Sequence, residues 1–338
     1  MGFPTVIFER RFEFQPSACL QSDRLMNTLV VASNVGGGIA RHLALTAQAL
    51  GHDLEIFNLP DTSSLAHKVG RVRRRVQDAK PEHIVTHGVA AGLAVRLLRR
   101  TSAQTSHVEF WHGDPFYARP SRRTAFRALA AVGASPTEQV FVNSSLIAAY
   151  GQAGSVTVTL TNAVPPQQLT TLTRAPKAAF MGRLSPEKGC ADVIAAWPSS
   201  MTEWNLTLYG EGAEVLPTLP AGITAAGHTA DPLSVMRGVA LVVIPSWTEA
   251  SPYSALEAMS VGTPLVATRT GDLPQLLSSG CGWLVDPRDR PALRRTLTTA
   301  LASTPEELGQ RGRCGHRWLA EHRPFDAWSA QVRAIYHP

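Results

Sequence analysis

Hydrophobic positions along the chain occur mainly as short apolar runs, many of them β-branched, separated by longer amphipathic stretches. Val239–Ile244 is the clearest run, and 264–267 is another. Apolar runs without polar alternation are typical of parallel strands that are buried on both faces. Because such runs alternate with helical patterns, the sequence predicts an α/β fold built on parallel sheets.

The same pattern recurs on both sides of a polar, proline-containing run at residues 165–176, which we interpret as an interdomain linker. A length of 338 residues also favours two domains. We therefore predict one domain over residues 26–168 and a second over residues 169–323. Residues 1–25 fit the pattern poorly, and both an accessory strand with its loop and an upstream extension remain open for them.

The stretch from Pro245 to Pro264 connects two predicted strands through a loop and a short helix. Ser251 suits the N-cap of that helix, Pro252 its first position and Gly262 its end. Glu249 then belongs to the loop, and Glu257 to the second turn of the helix. The free amides of Tyr253 and Ser254 are predicted to face the crevice where open α/β sheets bind ligands, and they favour an anion there.

A second segment, Gly182–Gly189, follows another predicted strand and places two cations, Arg183 and Lys188, around a helix start that Ser185 caps. Helix amides with Arg and Lys can bind a diphosphate. A glycine triplet, Gly36, Gly37 and Gly38, separates the first strand of the pattern from the helix that follows it. Glycines at this point let the backbone approach a ligand closely, although many strand-to-helix turns use glycine without binding anything.

Together these segments resemble family 4 retaining glycosyltransferases. Glu249 and Glu257, with seven residues between them, resemble the E-x7-E signature of that family, and residues 182–189 resemble its G-R-L-x-x-x-K-G motif. Weaker likenesses cover residues 36–42, 110–113, 161–165 and 205–212. The resemblance implies the GT-B fold, in which two Rossmann-like domains face each other across a cleft and a C-terminal helix, here residues 324–338, crosses back to the first domain.

The resemblance also implies roles for individual residues. Arg183 and Lys188 would neutralise the departing nucleotide diphosphate, Glu249 would contact the hydroxyls of the donor sugar, and Glu257 the ribose. His112, at the end of a predicted strand, would contact the donor sugar near the reaction centre with Asp114 close by. The remaining predicted donor-binding residues are Gly36, Gly37, Gly38, Gly182, Glu211, Ser251, Tyr253 and Ser254.

Composition narrows the choice of partners. The net charge is +6; Lys and Arg outnumber Asp and Glu 17 to 11 in residues 1–168 and equal them 15 to 15 in residues 169–338. The excess favours an anionic partner for the first half, such as an acidic acceptor or a membrane surface, and no recognised nucleic-acid motif is present. Residues 116–127 mix aromatic and cationic side chains, which suits either a lipid headgroup or an ordinary exposed helix.

Four scattered cysteines indicate reduced thiols and a cytoplasmic location, with peripheral contact at the inner face of the membrane left open. No D-x-D metal motif is present, so we expect no metal or cofactor.

The predicted reaction is transfer of a hexose-type sugar, with retention, from a UDP- or GDP-linked donor to a hydroxyl of a sugar, a lipid-linked glycan or a small molecule. A non-catalytic sugar-nucleotide-binding subunit is an alternative; a nicotinamide oxidoreductase is disfavoured because G-x-G-x-x-G is missing.

Overall fold

The computed structural model describes residues 28–33, 35–60, 62–99, 105–117, 120–152, 154–169, 174–212, 216–278 and 280–336. Within them lie two six-stranded, all-parallel sheets, one on each side of the predicted linker. Residues 1–25, for which the sequence left two interpretations, lie outside the described residues. Among the described helices, none is long and apolar enough to cross a membrane.

The first sheet has the strand order β2-β1-β3-β4-β5-β6. Its strands are β1 (Thr28–Ser33), β2 (Ile56–Leu59), β3 (His83–His87), β4 (Ser106–Trp111), β5 (Glu138–Phe141) and β6 (Val156–Thr159). The connecting helices are α1 (Gly37–Leu50), α2 (Leu65–Ala79), α3 (Val89–Arg99), α4 (Ser121–Val132) and the short α5 (Ile147–Tyr150). The order changes direction between β1 and β3, so ligands are expected beyond the carboxyl ends of those two strands.

The second sheet has the order β12-β11-β10-β7-β8-β9, which is the order of a dinucleotide-binding Rossmann sheet. Its strands are β7 (Ala175–Met181), β8 (Asn205–Tyr209), β9 (Ile223–Gly227), β10 (Val239–Ile244), β11 (Leu265–Thr268) and β12 (Gly282–Val285). Its helices are α6 (Cys190–Ala196), α7 (Pro232–Gly238), α8 (Tyr253–Ser260), α9 (Leu273–Leu276), α10 (Arg290–Leu301) and α11 (Pro305–His322). Here the direction changes between β7 and β10.

The apolar runs of the sequence become the centres of these sheets. All six residues of β10 and all four of β11 are buried, because helices cover both faces of the second sheet. This matches the prediction from their uninterrupted apolar character. The strands β7 and β10, which flank the change of direction, therefore stand on a packed base that fixes the loops leaving their carboxyl ends.

The last helix, α12 (Phe325–Tyr336), packs against α1 of the first domain. Its carboxyl end is bound there by three side chains: Arg333 donates to the carbonyl of Ala49 at 2.7 Å, Thr28 donates to the carbonyl of Tyr336 at 3.2 Å, and a ring nitrogen of His83 lies 2.9 Å from the carbonyl of Ile335. The crossing helix implied by the resemblance is thus present, and it attaches the end of the chain to the first domain.

The structure corrects the prediction of four reduced thiols. Cys281 and Cys314 form a disulfide that joins the start of β12 to α11, whereas Cys190 is free and buried. Cys19 lies outside the described residues. The sequence concealed this pair because the two cysteines are 33 positions apart and follow no familiar spacing; their proximity arises only from the packing of α11 against the second sheet.

Candidate functional site

In the second sheet, the loops that follow β7 and β10 lie against each other. The loop after β7 contains residues 182–189, and the loop after β10 contains residues 245–252. The amide of Trp247 donates to the carbonyl of Glu187 at 2.8 Å. Gly189 has a φ of 70°, and a Cβ built on it would lie 2.1 Å from the carbonyl oxygen of Pro245. The contact between the two loops therefore requires glycine at this position.

This loop contact brings together charged residues that are distant in sequence. Lys188 donates from Nζ to Oε1 of Glu249 at 2.7 Å, and Ser246 donates to the same oxygen at 2.7 Å. Arg183 lies 3.4 Å from Glu187 and keeps 65% of its side chain exposed. Burial raises the pKa of the Glu187 carboxyl, but hydrogen bonds from Ser185 and its own backbone and the charges of Arg183 and Lys188 outweigh this, so the pKa lies below its usual value.

The predicted start of a helix in the first loop is corrected. Pro186–Lys188 form a single 3-10 turn, and α6 begins only after Gly189. Ser185 makes no capping bond; its hydroxyl donates to Glu187 Oε1 at 2.7 Å instead. The reason is the left-handed conformation of Gly189, which interrupts the helix so that the loop can reach Pro245. A three-residue turn offers no aligned helix amides, so the two cations carry the anion-binding capacity of this loop.

The second loop departs from prediction at Ser251. The helix α8 begins at Tyr253, Pro252 occupies the N-cap position, and no side chain caps the helix. The Ser251 hydroxyl donates instead to Asp272 at 2.7 Å, and its carbonyl accepts from Asn162 at 2.8 Å. Asp272 is a strong acceptor because it is a buried carboxylate paired with Arg323. The Ser251 carbonyl therefore joins the two domains, whereas its hydroxyl binds within the second domain.

Glu257 lies in α8, as predicted, but its carboxylate is already paired. Arg41 of α1 donates from Nε to Oε1 of Glu257 at 2.6 Å across the two domains. The Glu257 side chain is buried, and burial raises its pKa although Arg41 opposes this shift. A ribose hydroxyl could bind this carboxylate only if Arg41 moved away, or if Arg41 and the ribose both donated to it.

The glycine triplet opens onto free space close to this ion pair. Gly36 is the extended N-cap of α1, and a Cβ added to Gly36, Gly37 or Gly38 would meet no atom within 4 Å. Arg41 follows one turn later, so the N-terminus of α1 lies on the same side as Glu257. The amides at the start of α1 have no acceptor within the helix, which suits an anion.

Gly182 and Glu211 belong to neighbouring loops of the second domain. The amide of Gly182 donates to the carbonyl of Tyr209 at 3.0 Å, and the carbonyl of Glu211 accepts from Leu184 at 2.8 Å. A Cβ on Gly210 would lie 1.8 Å from the carbonyl oxygen of Gly182, so close approach again requires glycine. The Glu211 side chain is exposed on the same edge of the sheet as Arg183.

Three histidines meet in the first domain opposite these loops. His112 follows β4, His87 ends β3 and His42 lies in α1. His87 Nδ1 lies 2.8 Å from His112 Nε2, and His87 Nε2 lies 2.7 Å from the hydroxyl of Tyr336 in α12. Burial lowers the pKa of all three rings, that of His42 to about 4, and mutual repulsion lowers those of His87 and His112 further. The rings are therefore neutral at pH 7.

Tyr253 connects these histidines to the second domain. Its hydroxyl lies 3.1 Å from His42 Nδ1 and donates to Asn162 Oδ1 at 3.2 Å. Burial raises the pKa of the Tyr253 hydroxyl, so it remains protonated. The predicted donor-binding residue Tyr253 thus lies in the contact between domains, with its ring buried.

Asp114 is occupied by internal partners. It accepts hydrogen bonds from the amide of Phe116 at 2.8 Å, from Arg123 at 2.5 Å and from the hydroxyl of Tyr150. Phe116 and Phe126 are buried beside Tyr150. Part of the aromatic and cationic stretch at residues 116–127 therefore stabilises the first domain.

His42, His87 and His112 are the one group of described residues whose spacing would allow a shared metal ion, since one ring nitrogen from each lies within 4.8 Å of the others. Neutral imidazoles suit zinc and similar ions. However, tetrahedral zinc at about 2.0–2.1 Å from each nitrogen needs ligand nitrogens about 3.3 Å apart. The 2.8 Å separation of His87 Nδ1 and His112 Nε2 is that of a hydrogen bond.

Comparison with known proteins found a family match inside the second domain. Residues 175–303 match the family model described as glycosyl transferases group 1. The matched residues include both loops, so Arg183, Lys188, Glu249 and Glu257 all lie inside the glycosyl transferases group 1 match.

Two curated proteins are similar to part of the chain. The MMP alpha-(1->4)-mannosyltransferase of Mycolicibacterium hassiacum is 35% identical over 34% of this chain and 30% of its own length. The D-inositol 3-phosphate glycosyltransferase of Corynebacterium efficiens is 29% identical over 47% of this chain and 42% of its own length. The alignments thus span less than half of either relative.

Solved structures confirm the fold over nearly the whole chain. Sucrose-phosphate synthase from Thermosynechococcus elongatus superposes with a TM-score of 0.74 at 17% identity, covering 91% of this chain and 98% of that one. HepE of Anabaena, solved with UDP and glucose, gives a TM-score of 0.74 at 17% identity over 91% and 98%. The GT-B architecture predicted from the sequence is therefore confirmed.

Sequence reasoning missed several residues that the structure places in the site. The sequence assigns no individual role to five of them: Arg41, His42, His87, Asn162 and Tyr336. The position of His87 one strand away from His112 was the available signal, because adjacent parallel strands end at the same edge of the sheet.

Proposed function

We propose that this chain is a retaining glycosyltransferase that moves a hexose-type sugar from a UDP- or GDP-linked donor to an acceptor hydroxyl without a metal ion. The observation that carries the proposal is the contact of Lys188 with Glu249 at 2.7 Å, beside Arg183, within the glycosyl transferases group 1 match. A carboxylate that can bind sugar hydroxyls thus lies next to two cations that can bind a diphosphate. Sugar hydroxyls and a diphosphate occur together in a nucleotide-sugar donor.

The proposed chemistry is electrostatic. As the bond between the anomeric carbon and the diphosphate stretches, negative charge accumulates on the leaving oxygen, and Arg183 and Lys188 stabilise it. The leaving phosphate accepts the proton of the acceptor hydroxyl on the same face of the sugar. This route needs no second carboxylate as nucleophile, in contrast to retaining glycoside hydrolases.

Relatives and neighbours support the choice of donor class. The two curated relatives are named as a mannosyltransferase and an inositol-phosphate glycosyltransferase. HepE has been solved with UDP-glucose and with UDP plus glucose. For this chain we propose UDP-glucose, UDP-N-acetylglucosamine and GDP-mannose as the donors to test. Glycoconjugate, polysaccharide and glycosylated-metabolite synthesis are the proposed settings.

The test is release of UDP or GDP from a panel of sugar nucleotides, with and without EDTA. We expect release from one nucleotide class, enhanced by a suitable acceptor, unaffected by EDTA, and giving a product with the anomeric configuration of the donor. Tight nucleotide binding without release from any donor in the presence of acceptors would instead support the non-catalytic binding subunit. Inverted product would contradict the retaining mechanism.

Peripheral contact with an anionic membrane is a secondary part of the proposal. The excess positive charge lies in residues 1–168, and Arg122 at the start of α4 is exposed. Arg123 and Arg127 have partners within the first domain, which reduces the charge available for lipid. Co-sedimentation with vesicles tests this point: equal binding to neutral and anionic vesicles would contradict it.

A further inference from the structure

A row of hydrogen bonds runs from the last helix of the chain to His112. The hydroxyl of Tyr336 in α12 lies 2.7 Å from His87 Nε2, and His87 Nδ1 lies 2.8 Å from His112 Nε2. Tyr336 and His87 are fully buried, whereas His112 retains partial exposure. The row therefore leads from the protein interior to the edge of the site.

The protonation states restrict how these bonds can be directed. Burial keeps His87 and His112 neutral, so each ring carries one N–H, and burial also raises the pKa of the Tyr336 hydroxyl. If Tyr336 donates to His87 Nε2, then His87 donates from Nδ1 to His112 Nε2, and the His112 proton must lie on Nδ1. In the reverse direction the buried O–H of Tyr336 would need another acceptor. Thr46 is its neighbour, but the Thr46 hydroxyl makes no hydrogen bond of good geometry with any described residue, so the Tyr336 donor would be left unsatisfied at a cost.

We propose that His87 and Tyr336 are positioning residues that hold the ring of His112 in its Nδ1–H tautomer. The inference rests on the proposed function and on the role that the family resemblance implies for His112, which is contact with the donor sugar. In that tautomer His112 offers its second ring nitrogen as a fixed hydrogen-bond donor to an oxygen of the sugar. Preorganised donors of this kind lose little energy to reorientation during the reaction.

The arrangement also gives the crossing helix a role at the site. Tyr336 reaches His87 only because the end of α12 is bound to the first domain through Thr28 and Arg333. Docking of α12 on the first domain therefore helps to orient His112, which belongs to a distant part of the chain. If the end of α12 only stabilised the fold, the Tyr336 hydroxyl would have no effect on the tautomer of His112.

The direct test is long-range proton–nitrogen NMR of the histidine rings in the full chain, with His112→Asn used to assign the His112 signals. We expect the Nδ1–H tautomer in the wild type. In Tyr336→Phe the ring and packing remain but the hydroxyl is lost, so His87 can carry its proton on Nε2 and His112 should shift to the Nε2–H tautomer. The same His112 tautomer in both proteins would overturn the proposal.

Kinetics provide a second readout. Tyr336→Phe should lower kcat about tenfold with little change in KM for the donor, since the lost effect concerns the orientation of a donor group. His87→Asn keeps an amide donor near the position of Nδ1 and should retain more activity than His87→Leu. Ser155→Ala, which removes a first-domain hydroxyl that donates to the carbonyl of Pro136, is the control and should leave kcat unchanged.

The outcomes separate this inference from the proposed function. If the wild type transfers no sugar, the proposed function fails, and the NMR result still decides the tautomer. If the tautomer changes in Tyr336→Phe while kcat does not, the role of the row in the reaction is overturned. Loss of activity on chelation, with recovery on adding zinc, would also overturn it, because His87 would then be a metal ligand.

Discussion

The two sides of the candidate site are built differently. On the side of the second domain, Arg183, Lys188 and Glu249 lie on two loops, each a continuous stretch of sequence. The backbones of the two loops touch where Gly189 of the first loop meets Pro245 of the second. On the side of the first domain, His112 depends on side chains from separate elements, with Tyr336 contributed by a helix 224 positions later. The comparison teaches that residues of one continuous loop can be recognised together in the sequence, whereas a site assembled from distant side chains is visible only in the fold.

The largest predicted effect is on turnover, and it comes from removing Arg183 on the second-domain side of the site. Arg183→Ala should lower turnover at least about 100-fold, because one transition-state donor is worth roughly 3 kcal/mol of barrier. Arg183 is 65% exposed, so the melting temperature should change little. Arg295→Ala, an exposed arginine of α10, is the matched control and should behave like the wild type. Near-normal turnover of Arg183→Ala would refute its role in binding the diphosphate.

The second prediction concerns the contact between the loops themselves. Gly189→Ala should lower the free energy of unfolding by about 2–3 kcal/mol, because it combines an unfavourable left-handed alanine with a clash against Pro245. Gly227→Ala is the matched control. Gly227 has a similar φ of 72° but no neighbour within 4 Å, so only about 1 kcal/mol is expected.

Denaturant unfolding measures both variants. Equal losses of stability would mean that the loops are not in the close contact that the structure shows. A larger loss for Gly189→Ala, accompanied by weaker nucleotide binding, would establish that the backbone contact maintains the arrangement of Lys188 and Glu249.

The third prediction tests the contact between domains at Arg41. Arg41→Gln leaves the buried Glu257 without its cation and should cost about 1–2 kcal/mol of unfolding free energy at pH 7.5. Glu257 can respond by binding a proton, since burial raises its pKa. A raised folded-state pKa contributes stability at low pH that is lost as the pH rises, so the cost should be smaller at pH 5.

Arg75→Gln serves as control for Arg41→Gln. Its partner Glu55 is exposed, and removing such a surface pair should change the unfolding free energy by less than about 0.5 kcal/mol. A cost for Arg41→Gln that is independent of pH would show that Glu257 does not titrate between the two conditions.

The last prediction is a pH dependence that arises from the first-domain side of the site. Burial lowers the pKa of His42 to about 4, so between about pH 6.5 and pH 4 the unfolded chain binds a proton that the folded chain excludes. Stability should therefore fall with decreasing pH in this window, by at most about 1.4 kcal/mol per pH unit for this residue. Denaturant unfolding of His42→Leu should show a shallower slope than the wild type, and equal slopes in the two proteins would contradict the burial of a neutral His42.

The sequence was informative wherever residue type and backbone geometry are linked locally. The strands, the two parallel sheets and the position of Glu249 in a loop follow from apolar runs, proline and glycine, whereas the GT-B architecture is what the family resemblance implies. Ser185 and Ser251 were misread as helix caps because a serine before proline suits both a cap and a loop. Nearby carboxylates, Glu187 and Asp272, decide the outcome, and only the fold brings Asp272 to Ser251.

The remaining features could not be predicted because they depend on long-range packing. The pairing of Arg41 with Glu257 joins residues 216 positions apart, and the disulfide requires α11 to lie beside β12. The burial of His42 and His87 likewise reflects the docking of α12 against α1. The ends of adjacent strands indicate that His87 and His112 lie near each other, but nothing in the sequence indicates that α12 covers them.

The central claim is that Arg183 and Lys188 bind the diphosphate of a nucleotide beside Glu249. Isothermal titration calorimetry of the wild type and Lys188→Ala with UDP, GDP and the corresponding nucleosides tests it most directly. We expect one nucleoside diphosphate to bind the wild type more tightly than its nucleoside, and this difference to shrink at least about tenfold in Lys188→Ala. An unchanged difference between diphosphate and nucleoside in the variant would contradict the account.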